Sequence, residues 1–96
     1  MVDIQFTIGD LHPEYGDICD VPVGGVPVFL GNELIVFAQH VRACTYHFPV
    51  SDRIAHQIND KELIVVGSFA VLDRDPVSHT ATRVRLMAVN IKETES

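Results

Sequence analysis

The pair Gly31-Asn32 sits between two runs rich in branched and aromatic side chains, 26–30 (VPVFL) and 33–41 (ELIVFAQHV). Glycine and asparagine enter the positive-φ region at little steric cost, so two such residues between apolar runs signal a tight β-hairpin. A hairpin here commits the surrounding chain to a sheet, and composition agrees: Val and Ile number 22, against 12 for Leu and Ala together. Branching at Cβ suits a pleated surface and costs rotamer freedom in a helix. Pro27 has no N–H to give a ladder, so 26–30 is expected to be an edge strand or to begin at a bulge, and an edge there would let copies of the chain pair. The second arm continues into 42–50 (RACTYHFPV), too long for one flat strand, and is expected to bend or break near Gln39–Arg42.

The flanking segments extend the same reading. Residues 2–8 (VDIQFTI) alternate as a strand, with Ile4, Phe6 and Ile8 on one face. The stretch 9–25 holds two prolines and four glycines, which predicts a long surface loop. Ser51 before Asp52 offers an N-cap, and Ile54, Ala55 and Ile58 recur at helical spacing, predicting one short helix over 52–58. Residues 61–73 read as a strand apolar on both faces, turning a corner at Gly67. After a turn at 74–79, residues 80–91 return as a last strand with Val84, Leu86 and Ala88 inward and Arg83 and Arg85 outward. The order predicts a mostly β domain, a small five- to six-stranded OB-like barrel with a lone helix, over 1–91, followed by a polar tail at 92–96.

Charge and motifs narrow the function. Thirteen acids face seven bases, for a formal net charge of −6. Residues 1–41 contain six acids and no Lys or Arg, and every base lies from Arg42 onward. The N-terminus has no basic head or apolar core, so a cytoplasmic protein with Cys19 and Cys44 as reduced thiols is expected. No nucleophile elbow, phosphate-binding loop, zinc-protease motif or dinucleotide fingerprint occurs, so no enzyme and no cofactor is expected. His40, Cys44, His47 and His56 suggest metal ligands, but period two sends Cys44 and His47 to opposite faces, and no metal is expected. A Cys44 thiolate pair with His47 or His56 is weighed against a buried structural thiol, which the sequence favours.

Two binding surfaces remain. Period two puts Arg42, Cys44, Tyr46 and Phe48 on one side of their strand, so Tyr46 and Phe48 would stack bases while Arg42, Arg74, Arg83 and Arg85 hold phosphates. The competing reading makes Cys44, Tyr46 and Phe48 core. The acids Asp10, Glu14, Asp17 and Asp20 crowd the long loop, where they solvate it or dock a basic protein partner; they lack the order of a calcium loop.

The back half resembles single-stranded DNA-binding proteins of the bacterial type and their primosomal relatives. The matching positions are Lys61-Glu62-Leu63-Ile64-Val65-Val66-Gly67 after a short helix and Ala88-Val89-Asn90-Ile91 in the last strand. The resemblance implies an OB-fold, single-strand binding and a replication-accessory role. The alternative is an acidic interaction subunit or inhibitor that docks a basic partner.

Overall fold

The structure is a computed structural model, and it describes residues 1–12, 15, 18–60 and 63–93. Chain order is β1 (Val2–Thr7), α1 (Ile8–Leu11), β2 (Cys19–Asp20), β3 (Val26–Leu30), β4 (Glu33–Arg42), β5 (Thr45–Val50), α2 (Asp52–Asp60), β6 (Leu63–Arg74) and β7 (Ala81–Glu93). The expected hairpin joins β3 to β4, with Gly31 at φ 65° in the left-handed region. The chain then reverses again at Ala43-Cys44, where Ala43 has φ 44°, and Arg42 pairs with Thr45. Of the bend or break expected near Gln39–Arg42 the structure has the break, a second tight hairpin with a bulge between His40 and Arg42. β1 lies antiparallel to β5 along its whole length.

β7 is the hub of the sheet. One edge pairs with β6 from Ala81 to Glu93. The other edge is shared, with β2 parallel to it at Val84 and Arg85 and β3 parallel to it at Val89, Asn90 and Ile91. The strand order runs β1-β5-β4-β3-β7, with β6 beyond β7. The fold is mostly β, but its ladder does not close into a barrel, because β1 and β6 do not pair among the described residues. Both helices touch both of these strands, so side chains such as Ile8, Leu11, Ile54 and Ala55 fill the seam that hydrogen bonds leave open.

The strand β3 is central rather than an edge, being flanked by β4 and β7. Pro27 is tolerated because the β7 ladder begins one residue later, at Val28, so no bond is missing there. The edge expected to be open to a second copy at 26–30 is taken up by β7 from Val28 to Leu30.

Inward residues form one core: Phe6, Ile8, Val26, Val28, Ala38, Cys44, Tyr46, Phe48, Val50, Ala55, Val84, Leu86, Val89 and Ile91 are all buried. On β7 the inward row changes phase. Ser68 pairs with Ala88 and Phe69 with Leu86, which leaves Met87 as the extra residue of a bulge. Ala88 is thereby turned outward, and Val89 takes the core position that simple alternation gave to Ala88. β6 is not broken at Gly67 but runs through it. A Cβ at Gly67 would lie 2.6 Å from Phe69 Cζ and 2.7 Å from Leu11 Cδ1, so the missing side chain is what lets the α1 residue and the Phe69 ring approach.

α2 begins where expected. Ser51 Oγ accepts from the Ile54 N–H at 3.3 Å, and the helix continues to Asp60. The described residues of 9–25 make more regular contacts than the composition implies. Thr7 and Asp10 form a reciprocal capping box on α1, the rings of His12 and Tyr15 pack edge-on to Phe69, and β2 docks on β7. No helix among the described residues is long and apolar enough to cross a membrane.

Candidate nucleic-acid interface on the outer sheet face

The aromatic pair proposed for stacking is core. Tyr46 and Phe48 are 0% exposed, and Phe6 stacks on Tyr46 with ring centroids 5.6 Å apart. The inward row of β5 is Tyr46, Phe48 and Val50, while the opposite row holds His47 and Pro49; the more apolar row faces in. The Tyr46 hydroxyl donates to Cys19 Sγ at 3.1 Å. Burial, with a smaller contribution from the Asp20 carboxylate, pushes its pKa above the ordinary phenol value.

The cysteines depart from expectation in the same place. Cys19 and Cys44 are joined as a disulfide, with Cα atoms 5.7 Å apart. It staples β2 to the β4–β5 turn. Cys44 is then neither a thiolate nor a metal ligand. The histidines near it are engaged separately: a His40 ring nitrogen meets the Ala43 carbonyl, and His47 Nδ1 lies 2.8 Å from Asp3 Oδ1. His56 sits on α2, and among the described residues no three His, Cys, Asp or Glu groups converge as a metal site.

The proposed charged residues divide. Arg83 donates to Asp20 through Nε at 3.4 Å and Nη2 at 2.7 Å, with Asp73 at 3.6 Å. Hydrogen bonding and the charge of Asp20, then Asp73, hold its pKa up. Arg74 Nη1 donates to the His79 carbonyl, tying off the β6–β7 turn. Arg42 is exposed at the end of β4. Arg42, Arg85 and Lys92 make no ion pair among the described residues. Among the loop acids, Asp10 caps α1 and Asp20 binds Arg83, while Glu14 and Asp17 lie outside the described residues.

What the sequence reading missed lies on the outward side of β7. Because Val84, Leu86, Val89 and Ile91 point in, the opposite row is Arg83, Arg85, Ala88, Asn90 and Lys92, kept on one face by the bulge at Met87. Register sets Phe29 beside Asn90 on one flank and Val66 beside it on the other. On β4, Leu34 lies opposite Phe29 and Phe37 opposite Pro27. Leu34 and Phe37 are each 47% exposed. A shallow groove of about 230 Å³ runs between these strands, lined by Phe29, Val66, Ser68, Ala88, Asn90 and Lys92 with Gly67. The signal for Phe29 was the alternation Val26, Val28, Leu30, but its neighbours on β7 are some 60 residues away in sequence, beyond any local pattern.

No family model matches the chain, and no curated protein or solved structure matches it either.

Proposed function

We propose that this protein is a non-catalytic, OB-like binding module that holds single-stranded nucleic acid on the outer face of β3, β4 and β7. One observation carries the reading: the outward row of β7 is basic and lies on the same sheet face as the half-buried ring of Phe29 and the exposed ring of Phe37. Arg85 and Lys92 belong to that row without a carboxylate partner among the described residues, and Phe29 and Phe37 supply rings on the next two strands. A basic track with aromatic rings is the physical requirement for sequence-tolerant single-strand binding. From Arg85 to Lys92 the track is about 23 Å long at about 3.3 Å per residue, enough for about four nucleotides. The net charge of −6 does not oppose this locally. Asp20 and Asp73, beside the track, are both held by Arg83, and Asp3, Asp10, Asp52 and Asp75 are bonded within the chain. In this reading Arg42, Phe29, Phe37, Arg85 and Lys92 carry binding, Arg83 borders the track in its ion pair, and a replication-accessory role follows.

The test is fluorescence anisotropy of labelled single-stranded DNA at low and moderate salt. Arg85→Ala and Lys92→Ala should each weaken binding and reduce the slope of log affinity against log salt by about 0.7. Folded protein with no affinity at low salt refutes the reading.

A second reading is favoured by the exposed side chains of Leu34 and Phe37, which lie opposite the half-buried Phe29 and Pro27 in an apolar patch. Such patches serve protein docking, and the net negative charge would select a basic partner. Here Phe37→Ala removes an anchor while Arg85→Ala changes little, the reverse of the ranking that phosphate contacts demand.

A further inference from the structure

We propose that the Cys19–Cys44 disulfide is a redox latch: when a dithiol reductant opens it, β2 leaves the edge of β7 and carries Asp20 away from Arg83, which strengthens the basic row on the outer face. The release stands on the geometry of β2, and its effect on affinity rests on the nucleic-acid reading above. β2 is two residues long and pairs with β7 at Val84 and Arg85 alone. Its side chains are half-buried, with Cys19 and the neighbouring Val21 packed against the core. To these ties are added the covalent bond to Cys44 beside the Ala43 turn and the ion pair of Asp20 with Arg83 at 2.7 Å. Those two charged side chains are 30% and 51% exposed, and an ion pair so open to water adds little. The disulfide is therefore the chief tie, and a short segment that loses its chief tie opens locally without unfolding the rest.

The exchange has a defined order. Cys19 is half-buried whereas Cys44 is 2% exposed, so the reductant's thiolate attacks the Cys19 sulfur. A mixed disulfide forms there, and the Cys19–Cys44 bond breaks with its electron pair on the Cys44 sulfur, which takes up a proton. The reductant's second thiol then attacks its own sulfur in the mixed disulfide, and Cys19 leaves and is protonated. The Tyr46 hydroxyl, 3.1 Å from Cys19 Sγ, donates to that sulfur as it leaves. Two electrons have passed from the dithiol, now a cyclic disulfide, to two protein thiols. Glutathione disulfide supplies the oxidant for the reverse step.

The consequence for the outer face is electrostatic. In the closed state Arg83 lies between two carboxylates, Asp20 on β2 and Asp73 on β6, so this group of three carries one net negative charge. Register also sets Asp20 beside Arg85, the next base of the row. When β2 leaves, Asp73 stays with β6 and Asp20 goes. The group becomes neutral, and the field over Arg85 turns more favourable to a polyanion.

Hydrogen exchange read by mass spectrometry, with and without dithiothreitol, tests the release. The peptide spanning 18–25 should exchange at least about tenfold faster once reduced, a fraction of what such a cross-link contributes, while β5 and the β3–β7 ladder stay protected. Unchanged exchange at β2 overturns the proposal, and so does uniform acceleration across the sheet, which would make the staple purely structural. Anisotropy of labelled oligo(dT) at low salt should then show about twofold to fivefold tighter binding by the reduced chain, the scale of one exposed charge. The gain should fade at moderate salt and reverse on adding glutathione disulfide. The Cys19→Ser, Cys44→Ser double variant should bind like the reduced chain under either condition. Asp20→Asn keeps the disulfide and should bind that tightly even when oxidised. Affinity indifferent to reduction, or a redox effect undiminished in Asp20→Asn, overturns the link between the latch and the row. Release of β2 with no binding in either redox state refutes the nucleic-acid reading itself and leaves the release standing.

Discussion

β5 and β7 each alternate a row of interest with a row of neighbours, and they resolve in opposite directions. On β5 the row with stacking potential, Tyr46 and Phe48, is fully buried, and what stays outside is His47 and Pro49. On β7 the row with binding potential is Arg85, Asn90 and Lys92, and it stays outside because Val84, Leu86, Val89 and Ile91 claim the core. Alternation names two rows without ranking them. The ranking comes from desolvation: a phenyl ring gains by leaving water, whereas a guanidinium loses. Aromatic residues offered as a stacking platform must therefore be weighed against the row behind them, and on β5 that row was too polar to be core.

The largest test of this contrast is Phe48→Ala. A fully buried ring leaves a cavity, so we expect a loss of about 3–5 kcal/mol in urea denaturation, and a loss under 1 kcal/mol would return Phe48 to the surface. The Cys19–Cys44 staple comes next. Closing a loop with a sequence separation of 25 should contribute about 3 kcal/mol, so the Cys19→Ser, Cys44→Ser double variant should unfold at correspondingly lower urea, and the unsubstituted protein should match it after full reduction. Unchanged midpoints on reduction would show that the sulfurs are not bonded. Phe37→Ala, on the outer face, should leave the urea midpoint within about 0.5 kcal/mol while costing about 1–3 kcal/mol of single-strand binding. Loss of stability without loss of binding would invert the assignment.

The smallest effect concerns the Tyr46 phenol. Its folded pKa is raised by burial and then by Asp20, so the folded state favours the neutral form. The unfolded chain begins to ionise near pH 10. Stability should be intact below that pH and fall as pH rises from there toward the folded pKa. Tyr46→Phe should flatten this alkaline decline, and an equal decline in the variant would assign it to another group.

Local features were readable before the structure. The Gly31-Asn32 turn, the Ser51 cap on α2 and the outward setting of Arg83 and Arg85 depend on neighbours a few residues apart, where backbone sterics and side-chain polarity decide. The rest depends on partners far along the chain. Pro27 suggested an edge because its missing N–H was visible, but not that the β7 ladder starts at Val28. Ala88 was set inward because nothing in the sequence announced the bulge at Met87. Cys19 and Cys44 were read as thiols from the expected compartment, whereas the packing of β2 on β7 brings them together. The groove was illegible for the same reason: Phe29, Val66 and Asn90 come from three strands, and no spacing rule joins them.

The position of β7 in the chain has a kinetic consequence. It follows β2, β3 and β6, and it is the strand on which all of them hang. Pairings that close loops of this length are slow to form, and a polypeptide emerging from a ribosome has to hold β3 with one side unsatisfied until β7 is made. During that interval the Val28–Leu30 segment is an open template for any passing strand. The proline beside it, unable to donate, makes that template one residue shorter and so limits aberrant association until β7 arrives.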